Sequence, residues 1–452
     1  MSGLSHLIFT HPQIDELFSA DAQVRGMLTF ESTLAKTQAG LGIIPVAAAT
    51  VIAAVCSELN WNLEELAQQT LLAGNPAIPL VKALTRRVNQ QDAEAAKYVH
   101  LGATSQDVLD TTLMLQLQAA LSFINNQLLD LQNTLAELTA KHRDTVMIGR
   151  TLLQQARPIT FGYKVAAWLD TLLRAEQRLL QVQREALALQ FGGAVGTLAT
   201  LGAQGPAVAR QLAAALQLAA PVLPWHSQRD RLVDVAAALG ILSGSLGKLG
   251  HDLISLMQTE VGEVAEGAAA GKGGSSAMPH KRNPVSATFL VAVAGRTPGL
   301  VSTLLSGLSQ HEHERAAGAW HAEWEVLPEL LRLTAAALAH AHDLLSTLEV
   351  DTARMRRNLD LTQGLIYAED VTAALTPHLG KAEAQQLVEQ ACQQALHDRM
   401  PLRDLLHQHP EASRFLSDES LRELFDPRRA TGLSQHFTDE VLARFHAPVP
   451  TT

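Results

Sequence analysis

Five long stretches of apolar residues at helical spacing constrain this chain more than anything else in it: 111–138, 159–189, 232–262, 285–308 and 327–348. Apolar side chains at i, i+3, i+4 and i+7 form a stripe along an α-helix, and that stripe has to be covered. Several of these runs are apolar over more than one stripe, so each helix needs neighbours on several sides. Aromatic residues make up only 4% of the 452 residues, while alanine and leucine abound, which points to helix packed on helix. The expectation is an all-α chain of three helical domains: an N-terminal domain over 1–110, a central long-helix bundle over 111–350, and a small C-terminal domain over 351–452, where charge density rises and the helical pattern shortens.

Other classes are excluded more simply. The formal net charge of −10 lacks the basic footprint that phosphate recognition needs, so neither nucleic acid nor a nucleic-acid-like polymer is an expected partner. Cys56 and Cys392 give no disulfide framework or zinc spacing. The start MSGLSHLIFTHPQIDELF has no basic segment followed by a long apolar run, and a cytoplasmic location is expected. The uncharged stretch 39–56 contains Gly40, Gly42 and Pro45 and barely reaches spanning length; it reads as a buried helix rather than a membrane span.

Against this acidic background, Lys272 to Pro284, KGGSSAMPHKRNP, is a cationic island. Its glycines permit positive φ and close backbone approach, and its prolines forbid a continuous helix. Cations and backbone donors around two hydroxyls suit a small polycarboxylate, and a serine there can act as base if Lys281 and nearby dipoles stabilise its alkoxide. The plainer alternative is a solvated basic linker. A nucleotide loop fits less well still, because GAAAGKGG has the wrong spacing and no Ser or Thr after Lys272.

GSSAMPHKRNP resembles the signature loop of the fumarase/aspartase superfamily, whose members add or eliminate a group β to a carboxylate. The resemblance implies Ser275 as catalytic base with Lys281 beside it, and Ser276 and Asn283 as substrate ligands. HLGATSQD resembles the superfamily's first signature region, which implies that His100, Thr104 and Ser105 face substrate carboxylates while Asp107 and Asp110 fix the loop. From the residues alone, Ser105 or Asp107 equally serves as a helix cap. The segments FSADAQVRGMLTFESTLAKTQAGLGIIP and GNPAIPLVKAL are similar to the adenylosuccinate lyase and carboxymuconate cycloisomerase branch. The superfamily's form is a homotetramer with active sites built from three subunits, and the surplus apolar helix surface agrees with oligomerisation.

The second region, GRTLLQQARPITFG, departs from the pattern. Relatives that expel amines or hydroxide resemble GRTH, where the histidine protonates the leaving group; here Leu152 stands in that place, and Gln155 occupies a second position where relatives carry histidine. Amines and hydroxide depart poorly as anions and need that proton, whereas a carboxylate does not. The loss of the histidine therefore suits a lactone-forming enzyme and damages an amine lyase.

PWHSQRDRLVD offers Gln228, Arg229 and Arg231 near a helix start, for a substrate carboxylate or for structural ion pairs. HEHERAAGAWHAEWEVLPE, 311–329, closely resembles the corresponding stretch of bacterial 3-carboxy-cis,cis-muconate cycloisomerases, where adenylosuccinate lyases read differently. A metal site there is not expected, because HExxH fails and alternate residues of a helix do not share a face. Glu260, Glu263 and Glu266 read as an acidic helix face able to pair with the loop's cations. FGGAVGTLATLG lacks dinucleotide-binding spacing and reads as a place of close approach. The expected activity is closure of 3-carboxy-cis,cis-muconate to a lactone without cofactor or metal. The alternatives are an adenylosuccinate lyase type of C–N lyase and a catalytically inactive helical scaffold.

Overall fold

The computed structural model describes residues 4–268, 271–274 and 277–447. It is an all-α fold whose described strands make two small antiparallel pairs. The first long helix, α1 (Ala20–Gly40), starts where the Ser19 hydroxyl accepts the Ala22 amide at 3.1 Å, a side-chain N-cap. It stops before Gly42, whose φ of 72° is left-handed. Val46–Cys56 is a separate helix, so the uncharged stretch 39–56 is broken at its glycines and Pro45 rather than forming one buried rod.

The remaining long elements are α2 (Ser105–Lys141), α3 (Phe161–Ala186), α4 (Asp230–Met257), α5 (Val285–Leu308) and α6 (Val326–Ser346). They match the five periodic runs, with two corrections. Residues 159 and 160, counted with a helix, end a strand: β1 (Val146–Thr151) pairs with β2 (Gln154–Thr160) in register Val146↔Thr160. Helix α4 ends at Met257, so Glu260, Glu263 and Glu266 lie past it and share no helical face. Burial explains this: Glu263 and Glu266 are 0% and 4% exposed, each committed to partners described below, which a solvated helix face would not provide.

The chain resolves into two compact units. One comprises Met1–Leu128, Ala175–Gly247 and Ala292–Ala339; the other comprises Leu129–Arg174, Lys248–Val291 and His340–Thr452. Each of α2 to α6 contributes residues to both. In the first unit, α1 buries Val24, Met27, Leu28, Phe30, Leu34 and Ala35, and it approaches α2 at Gly26, where a Cβ would meet the Thr112 methyl at 2.5 Å. In the second, the short helices Ala368–Leu379, Lys381–Asp398 and Leu402–Gln408 enclose their own core around Val371, Leu375, Val388 and Leu406.

Candidate active site

The loop preceding α2 is held in an unusual backbone. His100 has φ 61° and Gly102 φ 79°, the first being left-handed for a residue with a side chain. What holds it is Asp107, in the first turn of α2. Its Oδ2 accepts the Thr104 amide at 3.0 Å, the carboxylate half of a capping box, so of the two expected caps it is Asp107 that closes this end. The same carboxylate accepts the Gly192 and Gly193 amides at 3.0 and 2.9 Å and faces His226 Nε2 at 2.7 Å. The glycine-rich stretch is therefore where a second backbone approaches: a Cβ on Gly193 would lie 3.0 Å from the Gly102 carbonyl oxygen.

Below this loop lies a buried charge cluster. Arg229, 1% exposed, donates to Asp110 from Nη1 and Nη2 at 2.7 and 3.0 Å, and to Glu323 from Nε and Nη2 at 3.0 and 2.7 Å. Trp320 Nε1 donates to Asp110 at 3.1 Å, and His311 Nε2 faces Glu323 at 3.0 Å. Burial works against the guanidinium charge, but the two carboxylates outweigh it and hold Arg229 above its ordinary range. Its three nitrogens are thus engaged inside the protein, as a structural ion pair. Gln228 is exposed beside it. Arg315 donates to the Thr104 hydroxyl and to the Ala194 carbonyl, both at 2.9 Å, tying the 311–318 segment to the loop. His100 Nδ1 lies 2.6 Å from Glu31 Oε1 on α1.

In the second unit, the cationic loop is closed at a neck: the Asn283 amide donates to the Gly273 carbonyl at 2.9 Å. Gly273 has φ 68°, and a Cβ there would meet the Asn283 oxygen at 2.9 Å, so this position needs glycine. Ser275 and Ser276 lie outside the described residues. Lys281 is exposed and has no ion-pair partner among the described residues, whereas Arg282 pairs with both oxygens of Glu349 at 2.9 Å and Lys272 with Asp343. Glu266 accepts the Ser286 and Ala287 amides at 3.2 and 3.0 Å, capping α5, with Lys272 3.8 Å away. Glu263 takes a bidentate pair from Arg150 at 2.9 and 2.7 Å and the Asn358 amide at 2.7 Å.

The second signature region is the β1–β2 hairpin. Leu152 and Leu153 form its tip at φ 50° and 64°, 96% and 84% exposed, in a two-residue loop that usually recruits Asn or Gly. Gln155 donates to the Asn358 carbonyl at 3.0 Å.

Set beside known proteins, the geometry has close company. The family described as Lyase matches residues 9–299, and the adenylosuccinate lyase C-terminus matches 364–441. The 3-carboxy-cis,cis-muconate cycloisomerase of Pseudomonas aeruginosa is 51% identical over 95% of this chain and 94% of its own. That of Acinetobacter baylyi is 44% identical over 98% of both. The crystal structure of the 3-carboxy-cis,cis-muconate lactonizing enzyme from Pseudomonas putida superposes with a TM-score of 0.93 at 46% identity, covering 99% of this chain and 100% of that one. The chain belongs to this lyase family.

Within the family frame, the first signature region sets His100, Thr104 and Ser105 at or just before the start of α2, while Arg229 is buried against Asp110, farther along the same helix. Four participants were not singled out as site residues from sequence. Glu31 sits in an otherwise apolar helical stripe; Arg315 stood in view only as part of a marker segment; His226 and the Gly192–Gly193 amides declare themselves only through Asp107. A lone acid among Phe30, Leu34 and Ala35 was the one readable signal.

Proposed function

We propose that the protein is a 3-carboxy-cis,cis-muconate cycloisomerase, an intramolecular lyase of aromatic catabolism that closes its tricarboxylate substrate to 4-carboxymuconolactone. The observation behind this reading is 51% identity to such an enzyme across 95% of the chain. One substrate carboxylate oxygen attacks the conjugated double bond. The displaced electron pair moves toward the carboxyl at the far end, and the carbon α to it takes a proton. Ser275 delivers that proton in this direction and removes it in reverse, with Lys281 stabilising its alkoxide. Ser276 and Asn283, with His100, Thr104, Ser105, Gln155 and Gln228, are the proposed ligands of the carboxylates, Arg229 holds Asp110 in place below the first loop, and fixed charges and dipoles aimed at the aci-carboxylate supply the rate. No electrons enter or leave, so no redox cofactor is called for.

The exposed Leu152 fits this chemistry. Where the leaving group of the reverse reaction is a carboxylate, no acid is needed at that place, and the same residue disfavours adenylosuccinate cleavage. A homotetramer is part of the proposal, with sites shared among three subunits. It is supported by α5: this helix and α4 are long and apolar enough to cross a membrane by length and composition, yet only 22% of the α5 window is buried within the chain. A second copy is the cover we propose, in a cytoplasmic enzyme. We also propose the functional division 1–110, 111–350 and 351–452, since the first signature loop closes the first part and short helices follow α6.

The test is loss of the substrate's diene absorbance, run beside adenylosuccinate at equal enzyme concentration. Rapid diene loss with inert adenylosuccinate is expected; cleavage of adenylosuccinate instead overturns the reading. Ser275→Ala should lower kcat by about 10²–10⁴-fold, the scale of a lost general acid–base group, without changing the melting temperature; unchanged turnover removes Ser275 from its role.

A further inference from the structure

Glu31 is 2% exposed, on the face of α1 that also buries Met27, Leu28, Phe30 and Leu34. A buried carboxylate without a partner costs several kcal/mol, so it persists only beside a compensating charge or donor. Its partner is His100 Nδ1 at 2.6 Å, a short, charge-assisted hydrogen bond. Two turns along the same helix, Gln38, 0% exposed, donates from Nε2 to the Leu101 carbonyl at 2.8 Å. Helix α1 therefore grips two successive loop residues with two buried polar groups. The neutral amide does its anchoring without charge, so anchoring alone does not require a carboxylate seven residues earlier. What the carboxylate adds is a negative charge against one nitrogen of an imidazole.

That imidazole keeps a partly exposed edge. Its Nδ1 is occupied, its side chain is 20% exposed, and no hydrogen bond engages Nε2 among the described residues. The left-handed φ of 61° carries a local backbone cost, which the bonds to the His100 ring and to the next residue's carbonyl offset.

We propose that Glu31 is a positioning residue that holds His100 as an imidazolium, with its Nε2–H presented to a carboxylate of the substrate. The identity of that anion rests on the cycloisomerase reading; the coupling of Glu31 to His100 does not. The other charged groups facing the ring are few. Asp107 at the start of α2 adds negative charge, though it is engaged by Gly192, Gly193 and His226, and Arg315 is held on the Thr104 hydroxyl. On the far side of Glu31, burial pushes the Cys56 thiol far up, so it stays neutral. Burial of His100 lowers its basicity, but Glu31's charge and hydrogen bond, with Asp107 behind them, more than reverse this, and the ring is held above its ordinary 6.5.

The experiment follows the His100 ring in protein carrying isotope-labelled histidine, assigned with H100Q, and repeats it in E31Q and E31D. The midpoint should fall in E31Q and fall less in E31D. An unchanged midpoint in E31Q overturns the proposal whatever the substrate is. Kinetics on the tricarboxylate form the second arm: above the E31Q midpoint its KM should rise about tenfold, the scale of one charge-assisted hydrogen bond, with kcat little changed, and wild-type KM should be regained at lower pH. A lowered midpoint with KM unaltered at every pH overturns the presentation of Nε2–H to substrate. If wild type does not turn over the muconate at all, the cycloisomerase reading fails, and the titration still decides the coupling. Should E31Q not fold, E31D gives the same readouts with the same sign.

Discussion

Two loops with related tasks are built in opposite ways. In the His100–Asp110 segment almost every polar group is claimed by a neighbour: Asp107 receives four groups, Arg229 joins Asp110 to Glu323, and Glu31 holds His100. In Lys272–Pro284 the chain closes on itself at the Gly273–Asn283 neck, and Lys281 stays exposed with no ion pair among the described residues. The difference separates two ways of meeting an anion. The first loop fixes its groups in advance, at the cost of burying charge; the second pairs Lys272 and Arg282 with carboxylates and keeps Lys281 hydrated for the ligand. Mutations should therefore divide by readout, stability for the first and activity for the second.

The largest effect expected is at Arg229. Arg229→Met leaves Asp110 and Glu323 buried with no cation between them, which should cost about 3–5 kcal/mol of unfolding free energy; a denaturation curve near wild type would show that the cluster relaxes or hydrates. Next comes the cationic loop itself. Lys281→Ala should lower kcat/KM by about 10²-fold through lost stabilisation of developing charge, while unfolding stays within about 0.5 kcal/mol of wild type, as for an exposed side chain; equal loss of stability would erase the contrast between the loops. Gly273→Ala tests the neck, since alanine must enter a left-handed φ and meet the Asn283 oxygen. A penalty of about 1–2 kcal/mol, read as reduced turnover and faster proteolytic cutting between 271 and 284, is expected. The smallest effect belongs to Arg282→Ala: its pair with Glu349 is on the surface, and such pairs contribute roughly 0–1 kcal/mol, so neither melting nor kcat/KM should move much.

A pH series sharpens the same comparison. Because His100 is held above 6.5 in the folded protein, its pairing with Glu31 contributes stability that is fully present below pH 6.5 and is lost as pH rises through the raised folded value. The stability gap between wild type and E31Q should therefore narrow on going from acid to alkaline pH. A gap that stays constant or widens would mean that Glu31 is not facing an imidazolium.

Some of this was open to reading along the chain, because helical periodicity and loop chemistry are local properties. The runs at 285–308 and 327–348 gave α5 and α6 to within two residues. The anion-binding character of KGGSSAMPHKRNP, and its likeness to a lyase signature, followed from which residue types crowd thirteen positions. The departure at Leu152 was equally plain, since it needs only a comparison of chemistry with position.

Tertiary structure decided the rest, and the reason is that burial and pairing join residues that the sequence keeps far apart. Glu260, Glu263 and Glu266 have the spacing of a helix face, yet Glu263 belongs to Arg150 and Asn358, and Glu266 caps α5. Arg229 was balanced between substrate and structure until Asp110 and Glu323 were found on it. Glu31 stands 69 residues from His100; its place in the stripe of α1 hints at burial, but nothing local to α1 names the imidazole it meets. What the sequence determined alone was the helical frame and the class of chemistry; which charges meet substrate, and which are spent holding other charges in place, depended on three-dimensional contacts that no periodicity encodes.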